Sequence, residues 1–156
     1  MNNLKYFFLM LSMAFPFRGF AQTVDDIGKI VIGVEFQEGC SQETQNVKSQ
    51  LEDKLIHFAT QAGCSSFDNK TFFISPNVVI NSLDIAEGGM KNVYIARGDL
   101  FLTIQDRNSG VVFSSMSFPF SGTATKKELA IKNGILSIKY DNISSVFTEA
   151  KSKILS

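Results

Sequence analysis

The sequence contains little of what most catalytic centres are built from. It has one histidine, His57, and two cysteines, Cys40 and Cys64, among 156 residues. A protein zinc site needs three or four Cys, His or carboxylate ligands, which this composition does not supply in one cluster. No G-x-S-x-G, H-E-x-x-H, Walker or G-x-G-x-x-G motif is present either. We therefore predict no catalytic residue, no metal site and no cofactor.

The single histidine lies on a predicted helix, four residues after Asp53. A carboxylate at that spacing can orient a histidine that acts as a general base. On the helical wheel, however, both residues fall on the polar face, about 200° from Leu55. We therefore interpret His57 and Asp53 as a surface pair.

The chain also lacks a cluster of basic residues. It has 15 basic and 15 acidic side chains, and the longest basic run is Lys126-Lys127. Nucleic-acid binding depends on neutralising phosphates with clustered Lys and Arg, and attraction to anionic lipid needs a similar patch. The charge pattern therefore excludes nucleic acid and a lipid surface as partners.

No apolar run is long enough to cross a bilayer. The longest, Tyr6 to Phe17, follows a basic residue and precedes Gly19-Phe20-Ala21, which is the layout of a signal peptide cleaved after Ala21. We predict a signal peptide at 1–21 and a single domain at 22–156, periplasmic or secreted and with two more acidic than basic residues. No cysteine lies near the cleavage site, since the first in the chain is Cys40, so we expect no lipid anchor.

The two cysteines flank a predicted helix, which leaves a disulfide between them open. Apolar residues recur at helical spacing between the cysteines: Val47, Leu51, Leu55, Phe58 and Ala62. A helix from Thr44 to Ala62 would be roughly 28 Å long, whereas bonded cysteines have Cα atoms about 5 to 6 Å apart. Bridging Cys40 and Cys64 would need the loop 37–43 to fold back along the helix, or the helix to begin later. Any such bond would be structural, because no C-x-x-C spacing is present.

The remaining pattern predicts an α+β fold in the order β-α-β-β-β-α-α. The predicted strands are Lys29–Phe36, Lys70–Ser75, Asn92–Gln105 and Val111–Phe120. Pro76 is expected to close the second strand, with Val78–Ile80 as a possible extension beyond it. A right-handed crossover favours first and second strands that are parallel neighbours or are separated by one other strand. A capping box at Thr125–Glu128 begins a helical C-terminal segment, and Asp141-Asn142 interrupts its apolar face, which predicts two helices or one kinked helix. The prediction is a mixed sheet of about four strands with helices packed on it.

Two segments are candidates for contacts with other molecules. Residues 81–91 contain Gly88-Gly89 and few apolar anchors, so we expect a connecting loop or frayed strand there. On the last strand, three apolar residues alternate with polar ones: Met116, Phe118 and Phe120. This row is a possible interface, or else it is core beneath the C-terminal helices. Pro119 indicates that the strand lies at a sheet edge.

Several of these phrases together resemble one superfamily. The string Leu102 to Asp106, the turn ending in Ser109-Gly110, and the link Ser121-Gly122 into a helix are similar to the CsgG/LpoB-like bacterial envelope proteins. That superfamily contains the curli-secretion lipoprotein and the penicillin-binding-protein activator. The F-x-I-x-P phrase at Phe72–Pro76 also fits, so the resemblance covers most of residues 27–154. It implies a non-enzymatic domain that binds other envelope proteins, although this chain has no lipidation cysteine.

We therefore expect an exported, non-catalytic accessory domain of a bacterial cell envelope. Its partners would be envelope proteins of unknown identity, and self-association is compatible with the sequence. The alternative is a small-ligand or glycan-binding module that uses the 81–91 segment. A hydrolase built on Asp, Ser or Thr ranks last, because nothing in the sequence assembles a nucleophile with its base.

Overall fold

The computed structural model describes residues 30–65 and 71–156. The predicted signal peptide at 1–21 lies outside these residues and stays a prediction. The elements are β1 (Ile32–Val34), α1 (Gln42–Asn46), α2 (Lys48–Gln61), β2 (Phe72–Gly88), β3 (Lys91–Asp106), β4 (Val112–Ala124), α3 (Lys127–Ser137) and α4 (Tyr140–Leu155). The described strands form one mixed sheet in the order β1-β2-β3-β4. The predicted α+β class, with helices packed on a four-stranded sheet, is confirmed.

Strand directions follow from the connections. β1 and β2 are joined through two helices and run parallel, as the crossover predicts, over only three residue pairs from Ile32↔Phe72 to Val34↔Ile74. β2, β3 and β4 are joined by hairpins and run antiparallel. The β3–β4 turn is closed as predicted, because Asp106 Oδ1 accepts from the backbone N–H groups of Asn108 and Ser109.

The core lies on one face of the sheet. Because successive side chains of a strand point to opposite faces, the even-numbered residues of β3 lie beneath the helices and the odd-numbered ones face away. One buried cluster joins these β3 residues to the three longer helices: Leu100, Leu102, Ile104, Leu51, Leu55, Ile135, Ile143 and Phe147. On the other face Phe101 is 40% exposed. Among the described helices, none contributes side chains to a buried cluster on that second face.

The helix predicted from Thr44 to Ala62 is divided at Val47. Val47 has φ −113° and ψ 8°, and separates α1 from α2. Ser41 caps α1, since its Oγ accepts from the Thr44 N–H at 3.2 Å. The helix ends before Gly63, whose φ of +80° is the left-handed conformation that glycine adopts after a helix C-terminus. The break at Val47 allows α1 to lie along the edge of β2 while α2 packs on the core.

Pro76 does not end β2, so the strand end predicted there was wrong, whereas the possible extension at Val78–Ile80 is part of the same strand. The Glu35 N–H donates to the Ile74 carbonyl, so Ile74 turns its backbone groups away from β3 and toward β1. Pro76, two residues later, faces the same way, and β1 has already ended at Val34. The missing N–H of the proline therefore breaks no ladder hydrogen bond.

Beyond Pro76 the outer edge of β2 is closed by side chains. The backbone N–H of Val78 donates to Thr44 Oγ1 at 2.9 Å, and the Val78 carbonyl accepts from Ser41 Oγ at 2.8 Å. Since the Ser41 hydroxyl proton is used there, Thr44 must donate in the 2.8 Å bond between the two hydroxyls. Thr44 is fully buried, so α1 substitutes for a strand at this point.

The two C-terminal helices are confirmed, but they separate at Ile138–Lys139 rather than at Asp141-Asn142. Asn142 lies in the first turn of α4, where its Oδ1 accepts from the Lys139 N–H at 3.0 Å. A short polar residue that looked like an interruption is therefore part of a cap. The capping box predicted at Thr125–Glu128 is not formed, because α3 has Lys126 at its N-cap without a side-chain cap.

Helix α3 approaches β4 through two glycines. A methyl group added at Gly122 would lie 2.2 Å from both the Ala130 carbonyl oxygen and the Gly134 nitrogen. One added at Gly134 would lie 2.6 Å from Phe120 Cδ2. The backbones therefore meet directly, with no room for a side chain between them.

We predict that Gly122→Ala lowers the free energy of unfolding by about 1–3 kcal/mol or more, because α3 must move off the sheet. Chemical denaturation followed by circular dichroism measures the change. Gly89→Ala is the matched control, since nothing lies within 4 Å of a methyl group at Gly89. Equal stability of Gly122→Ala and Gly89→Ala would contradict the close packing.

Helix α4 is joined to β4 by a carboxylate. Ser114 Oγ donates to Glu149 Oε2 at 2.7 Å, and Lys153 Nζ donates to Glu149 Oε1 at 2.6 Å. The hydrogen bond from Lys153, followed by that from Ser114, lowers the pKa of Glu149 below its usual range. These bonds therefore stabilise the fold above the pKa of the unfolded chain, and the stabilisation is lost as pH falls through the lower folded pKa.

We accordingly predict that Glu149→Gln lowers Tm at neutral pH and that its difference from wild type shrinks in acid. Thermal melts between neutral pH and pH values below the carboxylate range provide the measurement. Glu38→Gln is the control, because Glu38 is exposed and forms no ion pair within residues 30–65 and 71–156. A Glu149→Gln deficit that persists undiminished in acid would refute this role.

Candidate functional site

The far end of the β2–β3 hairpin is regular structure with largely exposed side chains. We call residues 82–97 the hairpin arm; it begins at a register shift between Ile80 and Ser82 and ends in a turn at Gly89-Met90. β4 pairs with β3 only as far as Tyr94↔Ala124, so the end of the hairpin arm is two-stranded. Of the connecting loop or frayed strand expected in this segment, the structure shows strand: β2 continues to Gly88, Gly89-Met90 form the turn, and β3 begins at Lys91.

The hairpin arm is anchored at its base and exposed at its tip. Leu83 and Tyr94 pack against the core cluster from the base. Toward the tip, Ile85 is 54% exposed and Met90 is 99% exposed. Apolar side chains on a projecting two-stranded hairpin have too few neighbours to form a core of their own, so they are available to another molecule.

Polar contacts hold the open face of the hairpin arm. Arg97 and Asp84 form an ion pair at 2.6 Å, with 56% of each side chain exposed. Asn81 Nδ2 donates to Asp99 Oδ2 at 2.6 Å across the base. Exposed pairs of this kind contribute about 0–1 kcal/mol, so they orient the hairpin arm rather than fix it.

One backbone edge of the hairpin arm is free. In β3 the odd-numbered residues turn their backbone groups toward β2, so their partners Ser82, Asp84, Ala86 and Gly88 point inward. The intervening residues Leu83, Ile85 and Glu87 therefore point their N–H and C=O groups outward. Within the described residues no strand, and no side chain, accepts or donates there.

The other edges of the sheet are protected. By the same alternation Pro119, paired with Asp99, faces the outer edge of β4, where its missing N–H interrupts any added strand. On the outer side of β1, Ser65 already accepts from the Ile32 N–H and donates to the Ile30 carbonyl. The free edge of the hairpin arm is therefore the stretch best suited to strand addition.

The apolar row considered as a possible interface is part of the core. Phe118 and Phe120 are 7% and 6% exposed, and Met116 packs partly buried against the same cluster. Of the two alternatives for this row, the structure shows the packing one. Pro119 does lie on an edge strand, as predicted.

Sequence reasoning missed the hairpin arm, although a signal was present. Leu83 and Ile85 alternate with Asp84, and the β-branched segment Val93–Ile95 follows a Gly88-Gly89 turn. This is the pattern of a hairpin. The expected strand end at Pro76 concealed it.

A shallow groove of about 670 Å³ lies between α2 and the α3–α4 connection. Its floor is aromatic, with the rings of Phe58 and Tyr140 5.9 Å apart. Lys54 Nζ donates to the Leu136 carbonyl at 2.5 Å, and burial lowers the pKa of Lys54. His57 lies exposed on the rim, as predicted, and no hydrogen bond or ion pair joins it to Asp53 within the described chain.

Nothing in this groove assembles a nucleophile with a base. Across residues 30–65 and 71–156 there is also no group of three or more His, Cys, Asp or Glu side chains that could hold a metal ion. The groove therefore offers packing and charge, with no recognisable reaction centre.

Cys40 and Cys64 are both free in the structure, and the possible disulfide between them stays a prediction. Cys40 precedes α1 and is half-buried, whereas Cys64 follows α2 and is 5% exposed. Burial raises the pKa of the Cys64 thiol, and the nearby charge of Lys151 offsets this in part. A buried thiol with a raised pKa has little reactive thiolate at neutral pH.

We predict that iodoacetamide modifies Cys40 of the native protein well before Cys64, and that both react once the chain is unfolded. Mass spectrometry of peptides at successive times measures this order. Failure of both cysteines to react after unfolding without reductant would instead indicate a disulfide. Ser replacement of Cys40 is the control that leaves Cys64 as the sole target.

Comparison with known proteins finds no matching family model and no matching curated protein. Among solved structures, the chain is similar to a protein provisionally described as a lipoprotein from Caulobacter crescentus, with 12% identity and a TM-score of 0.47 over 80% of this chain and 90% of that one. A minor lipoprotein from Acinetobacter baumannii gives 12% identity and 0.42 over 83% and 96%. A DUF330-family protein from Xanthomonas campestris gives 10% and 0.47 over 69% and 65%.

These neighbours are bacterial proteins, two of them described as lipoproteins. TM-scores below 0.5 at such identities assign neither a family nor a function to this chain, and the resemblance to the CsgG/LpoB-like superfamily is not confirmed. In the described part of the chain, no helix is both long and apolar enough to cross a membrane.

Proposed function

We propose that the protein is an exported, non-catalytic accessory domain of a bacterial cell envelope, and that it acts through protein–protein contacts made by the hairpin arm. The observation that carries this proposal is the exposure of apolar side chains at the end of the hairpin arm. Met90 is 99% and Ile85 54% exposed, next to a backbone edge with no strand partner in the described residues.

Exposed apolar residues beside an unpaired strand edge promote aggregation unless a binding partner covers them. Natural sheets protect their edges with proline, short strands or covering loops. This sheet does so at β4 with Pro119 and at β1 with Ser65. The hairpin arm has no such protection, although the outer edges of β1 and β4 do. This contrast favours the hairpin arm as a surface that accepts a strand from another protein.

The compartment in this proposal rests on the signal-peptide pattern at 1–21. The charge pattern, with no basic cluster, argues against nucleic acid as the partner. Envelope proteins are then the partner class available to an exported domain.

The alternative of a small-ligand or glycan-binding module loses its structural basis. It required residues 81–91 to form a loop beside a concave pocket. Those residues form a regular hairpin. Around the described residues they line neither the groove between α2 and the α3–α4 connection, nor the two pockets between α1 and α3, nor the pocket beside Pro76.

The proposal is tested by photocrosslinking in the intact native envelope. A photoreactive amino acid at Met90 should capture one recurrent envelope protein, on a chain whose N-terminus is the processed Gln22. The matched control places the same group at Leu129, which is 43% exposed on α3, away from the hairpin arm. Equal capture at both positions, or capture only of unprocessed chain, would contradict the proposal.

A further inference from the structure

We infer that the free edge of the hairpin arm pairs with the same edge of a second copy of this chain. The pairing is antiparallel and symmetric, with Ile85 opposite Ile85 of the partner subunit. This inference rests on the proposed role of the hairpin arm in protein contacts, and it names the partner.

The backbone supports this arrangement first. Leu83, Ile85 and Glu87 all point their N–H and C=O groups outward, in one unbroken register after the shift at Ile80/Ser82. In a second copy placed antiparallel about Ile85, the outward N–H groups of each chain face the outward C=O groups of the other. About six N–H···O=C bonds can then form between the two copies. The two-fold arrangement uses both edges and closes the assembly at two chains.

The side chains of this register are complementary. Directly opposed residues lie on the same face of a sheet, so the two Ile85 side chains meet. In β3 and β4 the same row continues with Tyr94 and Ala124, both partly buried against the core. Pairing therefore extends an apolar row that at present ends at Ile85, which is 54% exposed.

The charges also fit this register. Asp84 falls opposite Ala86 of the partner subunit, and Glu87 falls opposite Leu83 of the partner subunit, so no two carboxylates are directly opposed. Like charges directly opposite one another destabilise strand pairs. Asp84 is in addition already paired with Arg97 at 2.6 Å.

A second copy fits this edge better than it fits the other edges of the sheet. Pairing through β4 would set Pro119 against the incoming strand, and β1 offers only three residues, one of which already bonds to Ser65. Among the edges of the described sheet, the hairpin arm combines three successive outward-pointing residues, an exposed apolar residue at their centre and a register in which no two carboxylates are directly opposed.

The experiment is analytical ultracentrifugation of the purified mature chain over a range of concentrations. We expect a reversible species of twice the chain mass. Ile85→Pro removes an outward N–H without breaking the β2–β3 ladder, and should weaken the dimer on the order of tenfold or more. Ile85→Val keeps the N–H and the β-branched side chain and is the matched control. Circular dichroism of each variant confirms that it is folded.

The register is tested separately by oxidation. In a Cys40→Ser background, Ile85→Cys should give a disulfide-linked dimer, whereas Ser121→Cys on the exposed outer strand should not. A mixture of Asp84→Cys and Ala86→Cys chains should crosslink in preference to either variant alone. Crosslinking of Ser121→Cys in place of Ile85→Cys would overturn the register.

A wild-type chain that stays monomeric at every concentration, or a dimer that Ile85→Pro leaves intact, would overturn the inference. That failure is distinguishable from failure of the proposed function. If photocrosslinking at Met90 still captures a different envelope protein, the hairpin arm is a contact surface whose occupant is another chain. If Met90 captures nothing and no dimer forms, both are overturned.

Discussion

Where the helices cover the outer edge of β2, its backbone N–H and C=O groups need hydrogen-bond partners within the protein, and this requirement organises much of the fold. The first residues of β2 pair with β1, whose three residues suffice only as far as Ile74. Proline at position 76 removes one donor, and the hydroxyls of Ser41 and Thr44 then bond both backbone groups of Val78. The position of α1, the break at Val47 and the free edge of the hairpin arm all follow from how these partners are distributed along one strand.

The helices cover the proximal part of the sheet and stop where the hairpin arm begins. Gly122 and Gly134 bring α3 against β4 at backbone distance, and Ser114 with Glu149 joins α4 to the same strand. These contacts tie the C-terminal half of the chain to β4 and to the shared core. The hairpin arm has no such cover, so its tip has the few apolar contacts and solvent-exposed backbone that accompany low local stability. A well-packed body that carries a lightly supported hairpin separates the part that maintains the fold from the part that can change partner.

Much of the architecture was predictable because it depends on local periodicity. The alternation in β3 and the helical spacing in α2 and α4 reflect elements that each bury one face. The turn at 106–110 reflects local hydrogen bonds from the Asp106 side chain. The errors came where a tertiary contact decides. Pro76 is tolerated because β1 is short, Val47 divides a helix because Ser41 and Thr44 bond to β2, and Asn142 caps α4. The first two relations are not visible within a sequence window, because a different element supplies each partner, whereas the Asn142 cap on Lys139 is local and was misread as an interruption.

The candidate site shows the same limit. Met116, Phe118 and Phe120 have the stronger apolar pattern, but that strength is what the core requires, and α3 and α4 cover them. Leu83 and Ile85 have a weaker apolar pattern, interrupted by Asp84, and the Ile85 side chain is exposed to solvent. A contact surface on a protein that must also remain soluble alone has to combine apolar side chains with charge, so its sequence resembles a loop more than a core strand. In this fold the weaker alternating segment, with its free edge, is therefore the better candidate for recognition.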